Sequence, residues 1–178
     1  MFGVHQNHFE LFGLPLGFAI DQEQLDQAYR RIQSEVHPDR FAAASPAERL
    51  RSMQWATHAN EAYQTLRSPI SRARYLLHLQ GIDTQEETNT AMPAEFLMQQ
   101  MEWREAIEES RHACDIDGLD QLLREIRHDT KALEAGLHAQ LDLQQDYPQA
   151  AETVRKLRFL DKVQTEIEQV LEALEEST

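Results

Sequence analysis

The chain has 178 residues, one cysteine and a formal net charge of −14. A single cysteine excludes an internal disulfide framework and a cysteine metal site, and no apolar run approaches the ~20 residues of a membrane span. The excess of acidic residues argues against binding to nucleic acid or to anionic membranes, because both attract clustered lysine and arginine.

Composition favours the all-α class. Only 6 glycines and 6 prolines are present, the prolines fall at turns or helix starts, and runs of β-branched residues are few. The charge is uneven, since residues 1–80 contain 8 acids and 8 bases whereas residues 81–178 contain 23 acids and 9 bases. This asymmetry predicts two units with different surfaces.

Two amphipathic helices are predicted in the first unit. The first begins at Asp21, a good N-cap, and ends before Pro38, because the residue before a proline is disfavoured in the α conformation. Its apolar residues recur at helical spacing: Leu25, Ala28, Ile32 and Val36. Ser45, Pro46 and Glu48 form the capping-box pattern that starts the next helix. The expected apolar stripe of that helix is Met53, Ala56, Ala59, Tyr63 and Leu66.

The tripeptide His37-Pro38-Asp39 lies between these two helices. We therefore expect it at the tip of a helical hairpin, exposed to solvent and stiffened by the fixed φ angle of the proline. A charged tripeptide displayed in this way suits contact with another protein.

This arrangement resembles a J domain, and the resemblance covers roughly residues 1–80. Residues 9–15 resemble the first short helix of that family, and residues 60–69 resemble the end of its third helix. The resemblance implies that the tip binds a DnaK-type chaperone. The implied chaperone-binding residues are His37, Pro38, Asp39, Arg40, Arg30 and Arg31.

Two features depart from the usual J-domain pattern. Arg30 and Arg31 share their helix with four acidic residues, so the electrostatic contribution of this helix should be modest. Arg40 stands where lysine is more common, which keeps the charge but changes the hydrogen-bond geometry.

A linker and a second helical unit follow. Residues 69–80 predict a short helix with Gly81 just after its end, and the polar, aperiodic residues 81–91 predict a linker. Three helices are predicted at about 93–112, 117–146 and 148–175. The last has the apolar stripe Leu160, Val163, Ile167, Val170 and Leu174. Short connections between amphipathic helices predict an antiparallel three-helix bundle over residues 92–178.

The first helix of this bundle is apolar on two faces. Phe96, Trp103 and Ile107 project within about 40° of one another. The other face carries Leu97, Met98 and Met101, continued by Glu102, Glu105 and Glu109. Because a three-helix bundle buries only one face, the second face either packs against the first unit or docks a partner. Docking would use adaptable methionines and carboxylates that steer a basic surface.

Four segments resemble the HscB family of iron–sulfur co-chaperones: residues 96–102, 153–162, 11–15 and 71–77. In that family the J domain engages HscA, a DnaK-type ATPase, and the C-terminal bundle binds the cluster scaffold IscU. The resemblance implies scaffold binding by Leu97, Met98, Met101, Glu102, Glu105, Glu109 and Phe159. It implies a non-enzymatic co-chaperone of cluster assembly, and we expect a cytoplasmic monomer without metal or cofactor.

Two other functions were weighed against this one. His5, His8 and His37 could be imagined as metal ligands with Asp39, but the spacing of these histidines is not that of a metal site. Cys114 is expected to be an incidental thiol, since one cysteine could not hold a cluster alone. A general J-protein serving other protein clients is the alternative, although such proteins typically offer glycine-rich or β-sheet client domains.

Overall fold

A computed structural model describes residues 7–85 and 92–176, and all regular secondary structure in these ranges is helical. The α-helices are α1 His8–Phe12, α2 Gln22–Glu35, α3 Pro46–Arg67, α4 Pro69–Leu79, α5 Ala94–Ala113, α6 Ile116–His138 and α7 Tyr147–Glu176. A 3₁₀ segment, Pro38–Phe41, lies between α2 and α3, and a π-helical segment, Ala139–Leu143, follows α6. The predicted all-α class is confirmed.

The helix ends form where the local sequence predicts them. The Asp21 carboxylate accepts hydrogen bonds from two backbone N–H groups in the first turn of α2. At the start of α3 the Ser45 hydroxyl accepts from the Glu48 N–H, and the Glu48 carboxylate accepts from the Ser45 N–H at 2.9 Å. Gly81 follows α4 with a φ of +76°, a left-handed conformation that favours glycine. These contacts satisfy backbone groups that helix ends leave unpaired.

One residue of the predicted α3 stripe is wrong. Met53 is 64% exposed, whereas Ala59 and Leu66 are fully buried. The buried position in the early turns of α3 is Ser52 instead, whose hydroxyl donates to the carbonyl of Val36 at 2.6 Å. Neighbouring residues differ by about 100° around a helix, so a buried Ser52 turns Met53 toward solvent.

The three bundle helices pack around a second apolar core. Its buried members come from all three helices: Trp103, Ile107, Leu119, Leu122, Leu123, Ile126, Leu160, Val163, Ile167 and Val170. The predicted stripe of α7 is therefore buried, with Leu174 partly buried at its end. The single helix predicted at 117–146 is instead an α-helix to His138, continued by the π-helical segment.

The core around α1–α4 is shared with the far end of α6 and α7. Phe9, Leu25 and Leu77 are fully buried there. The same cluster includes six residues from beyond the predicted linker: Leu137, Leu141, Ala150, Ala151, Val154 and Leu157. The hairpin helices and the bundle therefore meet in one apolar junction.

A carboxylate from the π-helical segment closes this junction. Asp142 accepts hydrogen bonds from the N–H groups of Phe18 at 2.7 Å and Ala19 at 3.0 Å, and it lies 2.9 Å from His138 Nδ1. Partial burial alone would raise the pKa of Asp142, but these hydrogen bonds outweigh it and hold the pKa below its ordinary value. Asp142 is therefore a charged clamp on the loop between α1 and α2.

A buried arginine supports the same loop. Arg72 is 8% exposed, donates to the carbonyl of Leu66 at 2.6 Å and lies with its guanidinium 4.8 Å from the centre of the Phe18 ring. Burial lowers the pKa of Arg72, and the nearby carboxylates of Glu134 and Asp142 oppose that shift. Charge on α6 and its π-helical extension thus stabilises a cation on α4.

The shared core predicts that the first unit alone is less stable than the full chain. An isolated fragment of residues 1–80 should fold but melt at a lower temperature than the full chain, because it lacks the six apolar residues contributed by α6, α7 and the π-helical segment. Circular dichroism melts of both proteins measure this. Equal midpoints would contradict the shared core, and an unfolded fragment would contradict the predicted boundary. Residues 86–91 of the predicted linker lie outside the described residues.

Candidate functional site

The loop between α2 and α3 presents the tripeptide at the tip of the hairpin. His37 caps the 3₁₀ segment, since its Nδ1 accepts the N–H of Asp39 at 3.3 Å. The same nitrogen lies 3.5 Å from a carboxylate oxygen of Asp39. The two side chains are 59% and 91% exposed. The imidazole therefore shapes the loop while the carboxylate is available to a partner.

Hydrogen bonds to the last turn of α2 hold this loop in place. The hydroxyl of Ser52, which lies on α3, donates to the Val36 carbonyl, and Arg40 Nη1 donates to the Ser34 carbonyl at 3.3 Å. A cationic side chain at a helix C-terminus also interacts favourably with the helix dipole. Arg40 therefore has a local structural contact in addition to its predicted role in binding.

The hairpin tip is a basic region of an acidic molecule. Arg30 and Arg31 are exposed on α2, and Arg49 and Arg51 are exposed on α3 in the same hairpin. Residues 30–53 contain five arginines and three acidic residues, in a chain of net charge −14. Sequence reasoning passed over the two α3 arginines because it treated the start of α3 only as a capping box.

The second face of α5 is exposed. Leu97, Met98 and Met101 are 43%, 63% and 64% exposed, whereas Trp103 and Ile107 on the core side are 5% and 1% exposed. The described part of the first unit thus does not bury this face, which disfavours the packing alternative. We call Leu97, Met98 and Met101 the α5 apolar face.

Carboxylates continue the α5 apolar face along the helix. Glu102, Glu105 and Glu109 are exposed, and none of them forms an ion pair with any residue in the described ranges. The surface thus combines apolar contact area with three exposed carboxylates. Such a surface suits a partner that is both apolar and basic.

Phe159 of α7 is half-buried beside this helix. Its ring centroid lies 5.8 Å from that of Phe96, edge to face, and 6.2 Å from that of Trp103, nearly parallel. Both neighbours belong to the core side of α5. Phe159 therefore has a packing role besides its predicted binding role, and these two roles must be separated by experiment.

The histidines do not assemble a metal centre in the described residues. His5 lies outside the described residues, and His8 stacks on Tyr75 with ring centroids 4.2 Å apart. Burial, followed by the nearby His58, lowers the pKa of His8. Across residues 7–85 and 92–176, no group of three or more potential ligands is arranged to hold a metal ion.

Cys114 is exposed and forms no disulfide. No helix in these ranges is long and apolar enough to cross a membrane.

The hairpin with its exposed tip, joined to a three-helix bundle, is an architecture that this chain shares with solved structures of co-chaperones. The chain is 54% identical over 172 residues to a "Co-chaperone protein HscB homolog" of Azoarcus sp. (strain BH72), covering 97% of each protein. It is 55% identical over 175 residues to the homolog of Burkholderia mallei (strain SAVP1), covering 98% of this chain and 99% of that protein. The chain belongs to the HscB co-chaperone family.

Solved structures agree with this membership. "Chaperone HscB from Vibrio cholerae" superposes with a TM-score of 0.83 at 40% identity, covering 95% of this chain and 99% of that one. The human co-chaperone protein HscB gives a TM-score of 0.88 at 28% identity, with coverages of 94% and 83%. Residues 92–168 also match the family model described as the HSCB C-terminal oligomerisation domain.

Proposed function

We propose that this chain is a co-chaperone of iron–sulfur cluster biogenesis. It stimulates the ATPase of a DnaK-type chaperone of the HscA kind and delivers to it a cluster scaffold of the IscU kind. Family membership makes the co-chaperone class firm, and the observation that carries the finer proposal is the exposed, anchored tip with Asp39 at 91% exposure. A carboxylate displayed on a stiff loop suits a partner that offers hydrogen-bond donors or positive charge.

The tip acts on the chaperone and performs no chemistry of its own. Asp39 contacts the nucleotide-hydrolysing domain, while His37 and Pro38 set the shape of the loop. Binding at the tip favours the hydrolysis-competent conformation of the chaperone, and the free energy for that shift comes from tighter binding to this state. Arg30, Arg31 and Arg40 assist the encounter electrostatically.

The bundle holds the scaffold. The α5 apolar face supplies contact area, the neighbouring carboxylates Glu102, Glu105 and Glu109 steer a basic partner, and Phe159 completes the surface from α7. Scaffold binding and chaperone activation then share one equilibrium, so each partner strengthens the effect of the other.

We propose a cytoplasmic monomer that binds no metal, cofactor or nucleic acid. The matched family model is described as an oligomerisation domain, so the mass of the protein in solution should be measured by sedimentation before any binding experiment. A monomer leaves the α5 apolar face free for the scaffold.

Steady-state ATPase assays test the proposed function. The chain alone should hydrolyse no ATP, the chaperone should be stimulated several-fold by the chain, and scaffold protein should add further stimulation. If an unrelated unfolded protein replaced the scaffold with equal effect, the alternative of a general J-protein would be favoured. Absence of stimulation in every mixture would refute the proposal.

A further inference from the structure

We propose that the bundle contains a binding site for a small organic cation, namely an apolar ring or branched group that carries an ammonium group. The site is a cavity between the first turns of α5 and the facing turns of α6 and α7. Its volume is about 380 Å³, within the range of small-molecule sites in proteins. This inference does not depend on the proposed function.

Apolar side chains from all three bundle helices form the floor of the cavity. Phe96 and Trp103 line it from α5, Leu133 from α6 and Leu160 from α7. Trp103 and Leu160 are 5% and 0% exposed, and the other two are partly buried. The α6 residue beside Leu133 is Ala132, whose methyl group leaves the space unfilled. The two aromatic residues belong to the core side of α5, so a ligand here would not cover the α5 apolar face.

Two carboxylates lie at the rim of the cavity. Glu95 of α5 and Asp129 of α6 both line it and are exposed, and neither forms an ion pair with another described residue. The basic residue that lines the cavity is Lys156, whose Nζ atom lies 2.7 Å from Glu152 Oε1. The charge of Lys156 is thus balanced locally, and the rim carboxylates favour a cationic ligand.

The Phe96 ring indicates that an ammonium group fits in the cavity. Lys156 Nζ lies 5.8 Å from the centroid of this ring, within the distance of a cation–π interaction. The aromatic wall therefore already faces a cation in the folded protein. A ligand with its apolar part on the floor would extend its ammonium group to the rim carboxylates.

The start of α5 has an opposing influence. Helix N-termini favour anions, because their first N–H groups lack intrahelical partners, and the N-cap residue Pro93 provides no side-chain cap. Glu95 lies in this first turn and supplies a negative charge there. With Asp129 also at the rim, we expect cations to be preferred over anions, and this preference is the measurable signature of the site.

Three indoles that differ in charge test the inference on the full-length protein. At neutral pH tryptamine carries an ammonium group, tryptophol a neutral hydroxyl group and indole-3-acetate a carboxylate. Titration calorimetry should give tryptamine a dissociation constant of about 1 mM or lower, as expected for a ligand of this size. The other two should bind about tenfold more weakly. Glu95→Gln with Asp129→Asn should remove the preference for tryptamine over tryptophol.

Matched variants locate the site. Ala132→Leu fills the cavity and should abolish tryptamine binding, whereas Ala135→Leu, at another exposed position of α6, should bind tryptamine as the wild type does. Asp120→Asn with Glu172→Gln removes two exposed carboxylates that do not line the cavity, so this variant should keep the preference for tryptamine. All four variants change exposed residues and should keep the melting temperature.

Four outcomes would overturn the inference. Tryptamine might not bind the wild type, or the three indoles might bind with equal affinity. Tighter binding of indole-3-acetate would instead assign the site to the N-terminus of α5 as an anion site. Loss of the preference in the control carboxylate pair would reduce it to the general acidity of the chain. Unchanged tryptamine binding by Ala132→Leu would place the ligand elsewhere. None of these measurements involves the chaperone or the scaffold, so the proposed function stands or falls separately.

Discussion

Asp39→Asn should abolish stimulation of the chaperone ATPase and leave the fold unchanged. The carboxylate is 91% exposed, so its loss removes no buried contact, and exposed substitutions usually change stability by less than about 0.5 kcal/mol. Asparagine keeps the shape but removes the charge that we propose meets the chaperone. His37→Gln should have the same effect, because it removes the imidazole that caps the 3₁₀ segment. Steady-state ATPase assays and thermal melts measure both properties.

A matched control is available on the preceding helix. Glu35→Gln removes an exposed carboxylate in the last turn of α2 without touching the tripeptide. This variant should stimulate the chaperone nearly as well as the wild type. Normal stimulation by Asp39→Asn would disprove the proposed role of the tip, and equal losses in both variants would indicate a general effect of charge.

Truncation of the α5 apolar face should weaken scaffold binding by about tenfold or more. Loss of an interface anchor typically costs about 1–3 kcal/mol. The variant carries Leu97→Ala, Met98→Ala and Met101→Ala. Its melting temperature should be nearly unchanged, because the three side chains are 43–64% exposed. Phe159→Ala should lower both affinity and stability, since its ring packs on Phe96 and Trp103. Titration calorimetry and thermal melts separate the two quantities.

Two further variants complete this experiment. Glu102→Gln with Glu105→Gln should lower the association rate constant and make it less dependent on salt. The dissociation rate constant should change little, as expected for exposed charges that steer an encounter. Leu16→Ala, a residue 58% exposed in the loop between α1 and α2, should leave scaffold affinity unchanged. Intact affinity in the triple alanine variant, together with a large loss of stability, would show that this face is structural.

Local signals in the sequence were sufficient for the helix ends and for the two faces of α5. Asp21, Ser45 and Gly81 act on backbone groups within a few residues, so their effects can be predicted without tertiary structure. The two apolar faces of α5 could be predicted from helical spacing, whereas the exposure of the second face depends on how the first unit packs and follows only from the structure. The position of Met53 could not, because the inward direction at the start of α3 depends on Ser52 reaching a carbonyl in another helix.

The junction could not be predicted from periodicity either. The Asp142 carboxylate and the Phe18 N–H are 124 residues apart in sequence, and no local sequence pattern predicts their hydrogen bond. The π-helical turn that carries Asp142 interrupts a stretch whose sequence favours one continuous helix. Contacts of this kind become visible only when the packing of the whole chain is known.

The clamp at Asp142 has a consequence for how two partners would meet. A flexible tether lets bound partners sample many relative positions, and the local concentration of one near the other falls as the tether lengthens. The shared core and the clamp instead join the tip and the α5 apolar face through packed structure. A scaffold bound to the bundle would then be held at a fixed distance and orientation relative to a chaperone bound to the tip. Loosening the clamp would leave each separate affinity intact and lower the effective concentration at which the second partner arrives.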